Sequence, residues 1–462
     1  MLRSFIRLGS ILCITAGLAM PVTGSASDSQ SRKRAGSVSQ KKAFWRTSTC
    51  RGCHDQIVAQ HLASEHEKSF TNPIFQAQYQ KELLPKASTD PQLDAAAREC
   101  IACHEPVDYA TNGPRLLTLK EVDPMMNGVT CDICHSMTGY RDKKPQNGNY
   151  IVEPSDRKLG PFQGEGDWHH IYSELQTKSE ICAVCHEAVN GHGLRIKATF
   201  TEWQESVFAR QGVQCQDCHM NIDGFLTAGK PRFASGKAAQ INLGAEPLKS
   251  TPQRDRLYTH QFPGAHSKTQ IEGAITLAIE AIRRDDGFNH DLAIDVTVDN
   301  SRTGHSMPSG SADLRLLWME VLVRIGDEPI GQPAVIAEPK APDESDAYAL
   351  AGRGKFDSML VGPEIPEGSR VYRAVFIDGA GQATLDSYNA VAKLFDNRLK
   401  AAENRKESYR FRIPDGAKGD ITVKATLKYL PYSSTFTERL GLPSPEQVIV
   451  AQKEILLSAQ DH

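Results

Sequence analysis

Five times between residues 50 and 219 the chain repeats one pattern, two cysteines separated by two residues and followed at once by histidine. The copies are Cys50-Arg51-Gly52-Cys53-His54, Cys100-Ile101-Ala102-Cys103-His104, Cys131-Asp132-Ile133-Cys134-His135, Cys182-Ala183-Val184-Cys185-His186 and Cys215-Gln216-Asp217-Cys218-His219. CxxCH is the attachment signature of c-type haem: two thiols add to the two vinyl groups, and the next residue sets an imidazole under the iron. Zinc ribbons, iron–sulfur sites and disulfides use paired cysteines too, but none of them calls for a histidine after each pair. The pattern predicts five covalent c-type haems. The motif histidines His54, His104, His135, His186 and His219 are their first axial ligands.

Successive first cysteines lie 50, 31, 51 and 33 residues apart, a long–short alternation. Cys103-His104-Glu105-Pro106-Val107 is echoed by Cys185-His186-Glu187-Ala188-Val189, and each stretch runs on to a Gly-Val pair, Gly128-Val129 and Gly212-Val213, ahead of the next motif. An internal duplication of a two-haem unit accounts for both features, with the first haem in front of it.

Ten of the eleven cysteines lie in the motifs; Cys13 lies in the leader. Arg3 and Arg7 precede an apolar run from about Leu8 to Met20, then Pro21 and the small residues Gly24-Ser25-Ala26. That is an export signal, too short to span a bilayer, with cleavage expected after Ala26. Removing it takes away two positive charges and no negative ones, moving the formal charge from −3 to −5. The periplasm is the expected location, with the extracellular side or the outer membrane as alternatives. No basic excess points to nucleic acid, and no transmembrane span is expected after cleavage.

The second axial ligand decides what each haem can do: two imidazoles close the iron, whereas an open face admits a ligand. Ten histidines lie outside the motifs. His66 follows the first motif on a helix-like segment, Asp55 to Phe70, which also carries His61. Trp168-His169-His170 offers one ligand, written as His170 although the pair is not resolved by sequence. His260 and His266 flank the turn Phe262-Pro263-Gly264. His305 sits in the loop Gly304-His305-Ser306-Met307-Pro308-Ser309-Gly310. Met125, Met126 and Met307 are weaker candidates.

Residues 182–220, with Thr201-Glu202-Trp203 before Gly212-Val213, resemble the multihaem cytochrome c family related to cytochrome c554. So do the Ser64-Glu65-His66 step, the pattern at 260–266 and the loop at 304–310. The resemblance spans roughly residues 45 to 320. It implies a haem-packed, helical and loop-rich domain passing electrons between closely spaced haems, with His66, His260, His266 and His305 as distal ligands. Two departures bear on catalysis. Pentahaem nitrite reductases carry one CxxC motif ending in lysine, which is absent here. The octahaem hydroxylamine-oxidising enzymes carry three more motifs and a cross-linked tyrosine.

Beyond about residue 268 the period changes. Ile275, Leu277 and Ile279 alternate, Asp286-Gly287 signals a hairpin, and Leu292, Ile294, Val296 and Val298 alternate again. A helix through Ile271, Ile275 and Ile282 competes for the first run. Further strand-like runs cover 314–323, 371–377, 409–413, 421–430 and 448–457, and the segment 338–366 reads as an exposed excursion. The expected fold is therefore α+β and multidomain: signal peptide 1–26, pentahaem domain 27–267, and an all-β sandwich-like domain 268–462.

Electron transfer between redox partners through mostly bis-histidine haems is the function this suggests. The alternative is an oxidoreductase acting on a small nitrogen or sulfur compound at one five-coordinate haem. Partners would be other redox proteins with basic docking surfaces, and a membrane or outer-surface redox complex is a further candidate.

Overall fold

The computed structural model describes residues 43–163, 169–223, 230–239, 251–285, 290–330, 349, 351, 363–367 and 369–458. The leader, the hairpin at 286–287 and most of 338–366 lie outside these residues. The architecture is α+β, with helices gathered toward the N-terminus and antiparallel sheets later in the chain.

Each CxxCH lies in or at the end of a short helix: Thr47–Arg51, Pro91–His104, Cys131–His135, Glu180–His186 and Cys215–His219. A helix sets residues three and four apart on one face, so both thiols and the imidazole leave the same side of the backbone. The longest of these helices, Pro91–His104, starts on a well-formed cap: the Asp90 carboxylate accepts from the Gln92 and Leu93 amides, and Pro91 fills the first helical position.

The duplication has a structural counterpart. Glu105 and Glu187, each directly after a motif, are both buried. Glu105 accepts from the Gly128 amide at 2.8 Å, and Glu187 accepts from the Thr201 amide at 3.1 Å and its hydroxyl at 2.7 Å. In both copies a buried carboxylate ties one motif to the segment leading to the next.

The later sheets follow the alternation of the sequence. Thr276–Asp285, His290–Asp299 and Asn404–Arg412 form a three-stranded antiparallel sheet with His290–Asp299 in the middle. The helical alternative for the first run reduces to one turn, Lys268–Ile271, before the strand starts. A second sheet is built on Leu316–Ile325, Ile421–Leu430 and Val448–Leu457, with Glu328–Ile330 and Arg370–Tyr372 at its side.

Leu292, Ile294, Val296 and Val298 share one core with Leu317, Met319, Val321, Val323, Val423 and Leu427. The first four residues of strand Leu316–Ile325 are buried on both faces. The strand's odd positions enter that core, whereas Leu316 and Trp318 enter a second one with Leu430, Phe436 and Leu440. Ile74 and Ala77 of the helical part pack into the second core, and Lys81 Nζ donates to the Leu440 carbonyl at 3.0 Å. The expected run 371–377 is split, because Arg370–Tyr372 and Ala374–Ile377 pair in different sheets.

Candidate haem centres

All ten motif cysteines and all five motif histidines line one cavity of about 1120 Å³. Four motif histidines face a second histidine across it. The ring centres are 5.8 Å apart for His54 and His169, 6.1 Å for His186 and His66, 6.3 Å for His135 and His260, and 6.2 Å for His219 and His305. An iron held by two imidazole nitrogens at about 2 Å, the usual metal–imidazole length, needs ring centres about 6 Å apart. These spacings fit a haem iron between each pair. Among the described residues no group of three or more His, Cys, Asp or Glu is arranged to hold a bare metal ion. A haem, which brings four ring nitrogens of its own, needs only the two imidazoles.

The outer nitrogens fit the same role. The Nδ1 of His54 lies 2.8 Å from the Ala238 carbonyl, that of His135 2.6 Å from Leu159, and that of His104 2.7 Å from Ser69. On the distal side, His260 Nδ1 lies 3.1 Å from the Tyr258 carbonyl and His305 Nδ1 2.9 Å from that of Ser306. A ring nitrogen facing a carbonyl carries the proton, which leaves Nε2 with a free lone pair, the arrangement usual in metal-binding histidines. Burial lowers the pKa of His66, His104 and His260 to about 3 and of His186 and His219 to about 4. All five are therefore neutral, the form that can ligate.

The motif histidine of the second copy is placed differently. The His104 ring stacks on Phe75 at 3.8 Å and 8°, and no histidine ring faces it among the described residues. Of the other expected ligands, His170 is turned away, its Nε2 lying 2.6 Å from the Phe162 carbonyl, so His169 is the member of that pair opposite His54. His266 is half exposed, with Nε2 3.8 Å from Glu65 Oε1. His61 places Nε2 2.8 Å from the Val129 carbonyl and Nδ1 3.5 Å from Glu67. Met307 is buried in the core between the sheets.

The thiols also meet across motifs. Cys50 lies in hydrogen-bonding reach of Cys131, Cys103 of Cys185, and Cys215 of Cys182; in each pair the contact lowers the first thiol's pKa and raises the second's. Attachment points of different motifs therefore sit side by side. Asp132, inside the third motif, is buried against Lys158 Nζ at 2.6 Å, and that ammonium lies over the Trp45 ring.

The chain is similar to known cytochromes. Residues 49–136 match the family described as cytochrome c554 and c-prime. The cytochrome c-554 of Nitrosomonas europaea is 25% identical over 200 residues, which is 40% of this chain and 78% of that protein. The fold is similar to that of a penta-heme cytochrome c552 from Thermochromatium tepidum, with a TM-score of 0.61 and 20% identity over 90% of this chain and 99% of the other.

Proposed function

We propose that the chain is a multihaem c-type cytochrome related to cytochrome c554 and that it carries electrons between redox partners through five covalent haems. The observation that carries this reading is the set of four imidazole pairs at 5.8–6.3 Å. The bound haem would supply an iron that cycles between ferric and ferrous states. The chain's own residues then do three things. Cys50, Cys53, Cys100, Cys103, Cys131, Cys134, Cys182, Cys185, Cys215 and Cys218 fix the five groups. The four imidazole pairs would close four irons and keep water off them. Thiol contacts across motifs set the attachment points as neighbours, so electrons have short steps to take.

The haem-bearing part is 27–267 and the sandwich-like part 268–462, which reaches back into the haem cavity with His305. No helix of the described residues is long and apolar enough to cross a membrane. Residues 1–26 direct export, to the periplasm or beyond it. The acidic mature chain, made more so by haem propionates, favours partners with basic surfaces.

His104 supports a second reading. With Phe75 against its ring and no opposing imidazole among the described residues, a haem held by Cys100, Cys103 and His104 would be open on one face, where a small nitrogen or sulfur compound would bind. One experiment tests both readings: EPR and low-temperature optical spectra of the purified oxidised protein, with haem content measured and with nitrite, hydroxylamine or cyanide added. Four low-spin haems and one high-spin haem that responds to the additions are expected. Five low-spin haems indifferent to them would remove the second reading. Fewer than four low-spin haems would overturn the pair assignment.

A further inference from the structure

His305 reaches the haem cavity from a loop that packs between the helical part and the sheets, and the contacts holding that loop converge on one buried ion pair. Glu202 lies on the helix Thr199–Gln204, between the fourth and fifth motifs. Its Oε2 accepts from the Ser306 amide at 3.2 Å and the Ser309 hydroxyl at 2.8 Å. Its Oε1 is 2.7 Å from Arg398 Nη2, with the two side chains only 12% and 7% exposed.

Arg398 uses its whole fork. Nε and Nη2 donate to the two Asp396 oxygens, each at 2.9 Å, and Nη1 donates to the Pro308 carbonyl at 2.9 Å. The next residue, Leu399, exchanges two backbone hydrogen bonds with Met307, at 2.7 and 3.0 Å. The Thr199 hydroxyl accepts from the Gly310 amide at 3.1 Å. One residue before Ser306, the His305 ring lies 8° from parallel to that of His219.

We propose that Glu202 and Arg398 are positioning residues for the fifth haem: their buried ion pair clamps the loop at 304–310 and holds His305 opposite His219. The proposal rests on the reading of His219 and His305 as axial ligands. A buried ion pair of this kind costs more to break than an exposed one, because removing one partner leaves the other charge without its counter-ion. Its effect here is to make a haem ligand's position depend on a side chain from each part of the chain. Arginine suits the task better than lysine, since only a planar fork can reach Asp396, Glu202 and the Pro308 carbonyl together.

The test uses the full-length, haem-loaded protein and the variants R398Q, R398K, E202Q, S309A and H305A. Haem content and melting temperature are measured alongside low-spin EPR intensity and carbon monoxide binding after reduction. H305A should convert one low-spin haem to a carbon monoxide-binding form while all five haems stay attached. R398Q should convert most of the same haem, E202Q a smaller part, and R398K should recover part of what R398Q loses. If R398Q does not load haem, E202Q and S309A, which keep the guanidinium, carry the test through a faster approach of carbon monoxide to that one haem. Low-spin intensity and carbon monoxide binding unchanged in R398Q and E202Q, with H305A altered, would overturn the clamp and leave the ligand reading standing. An unchanged H305A would overturn the ligand reading and the clamp with it.

Discussion

Val423 and Ile133 are both almost completely buried, and their neighbours differ in kind. Val423 sits in a ten-residue ladder opposite Val323, with Ile455 on its other side, and its core is made of side chains alone. Ile133 is the middle of a haem motif on a five-residue helix. It packs with Val107, Met137, Tyr150 and Val184 at the wall of the cavity lined by the cysteines and histidines. Helices of five residues are far below the length that is stable in water without tertiary support. The sheets supply their own apolar interior, whereas the helical part is arranged around space for the haems.

The largest effect that could break this contrast comes from withholding haem. In chain made without haem attachment and kept reduced, amides of residues 47–219 should exchange at rates near those of unfolded chain. The ladders of 316–325 and 421–430 should keep protection by orders of magnitude. Equal exchange in both parts would show that the sheets, too, depend on haem.

Leu427→Ala sharpens the contrast from the other side. Truncating a fully buried leucine in the core between the sheets should cost about 3 kcal/mol, read as a lower melting temperature, with the haem spectrum of the surviving folded protein unchanged. A shifted low-spin signal in that variant would mean that the sheet core tunes the haem sites directly.

A smaller effect concerns Asp313, which sits just before the strand Leu316–Ile325. It is 6% exposed, and neither carboxylate oxygen has a hydrogen-bond partner in the structure. Burial raises its pKa to about 7, with Arg315 and Lys197 pulling the other way. A carboxyl whose folded pKa is raised lends stability below its unfolded value near 4 and loses it as pH climbs through about 7. Melting temperature should therefore fall between pH 5 and 8. Asp313→Asn should flatten that slope and gain on the order of 2 kcal/mol at pH 8. A slope unchanged by the substitution would assign it to other groups.

The residues that announce themselves in the sequence are those with a fixed local spacing. The cysteine pairs and their histidines need only a short helix to converge, and the strands at 292–298 and 421–430 need only alternation. The distal side was less legible. His169 and His170 are neighbours with the same side chain, and which one faces His54 depends on the short parallel pairing of Lys158–Gly160 with His170–Tyr172. His266 shares a turn with His260 yet faces Glu65 across a half-exposed surface. Nothing periodic marks the two- and three-residue pairings around the motifs. The Glu202–Arg398 pair joins positions nearly two hundred residues apart, and although Glu202 lies in the Thr201-Glu202-Trp203 step, nothing local pairs it with Arg398. Phe75 against His104 is of the same kind: an aromatic residue at a helix start reads as core until the fold shows which ring it meets.

The thiol contacts across motifs bear on how such a chain can be assembled. Cys50 next to Cys131, Cys103 next to Cys185 and Cys182 next to Cys215 are neighbours from different motifs, and in an oxidising compartment neighbouring thiols close into disulfides. A chain that compacted before maturation would offer three wrong cross-links, each consuming one sulfur from each of two motifs. Vinyl addition uses the sulfurs two by two within a motif and removes that hazard. That chemistry favours an order in which the haems go on while the motifs are still apart and the chain closes around them afterwards.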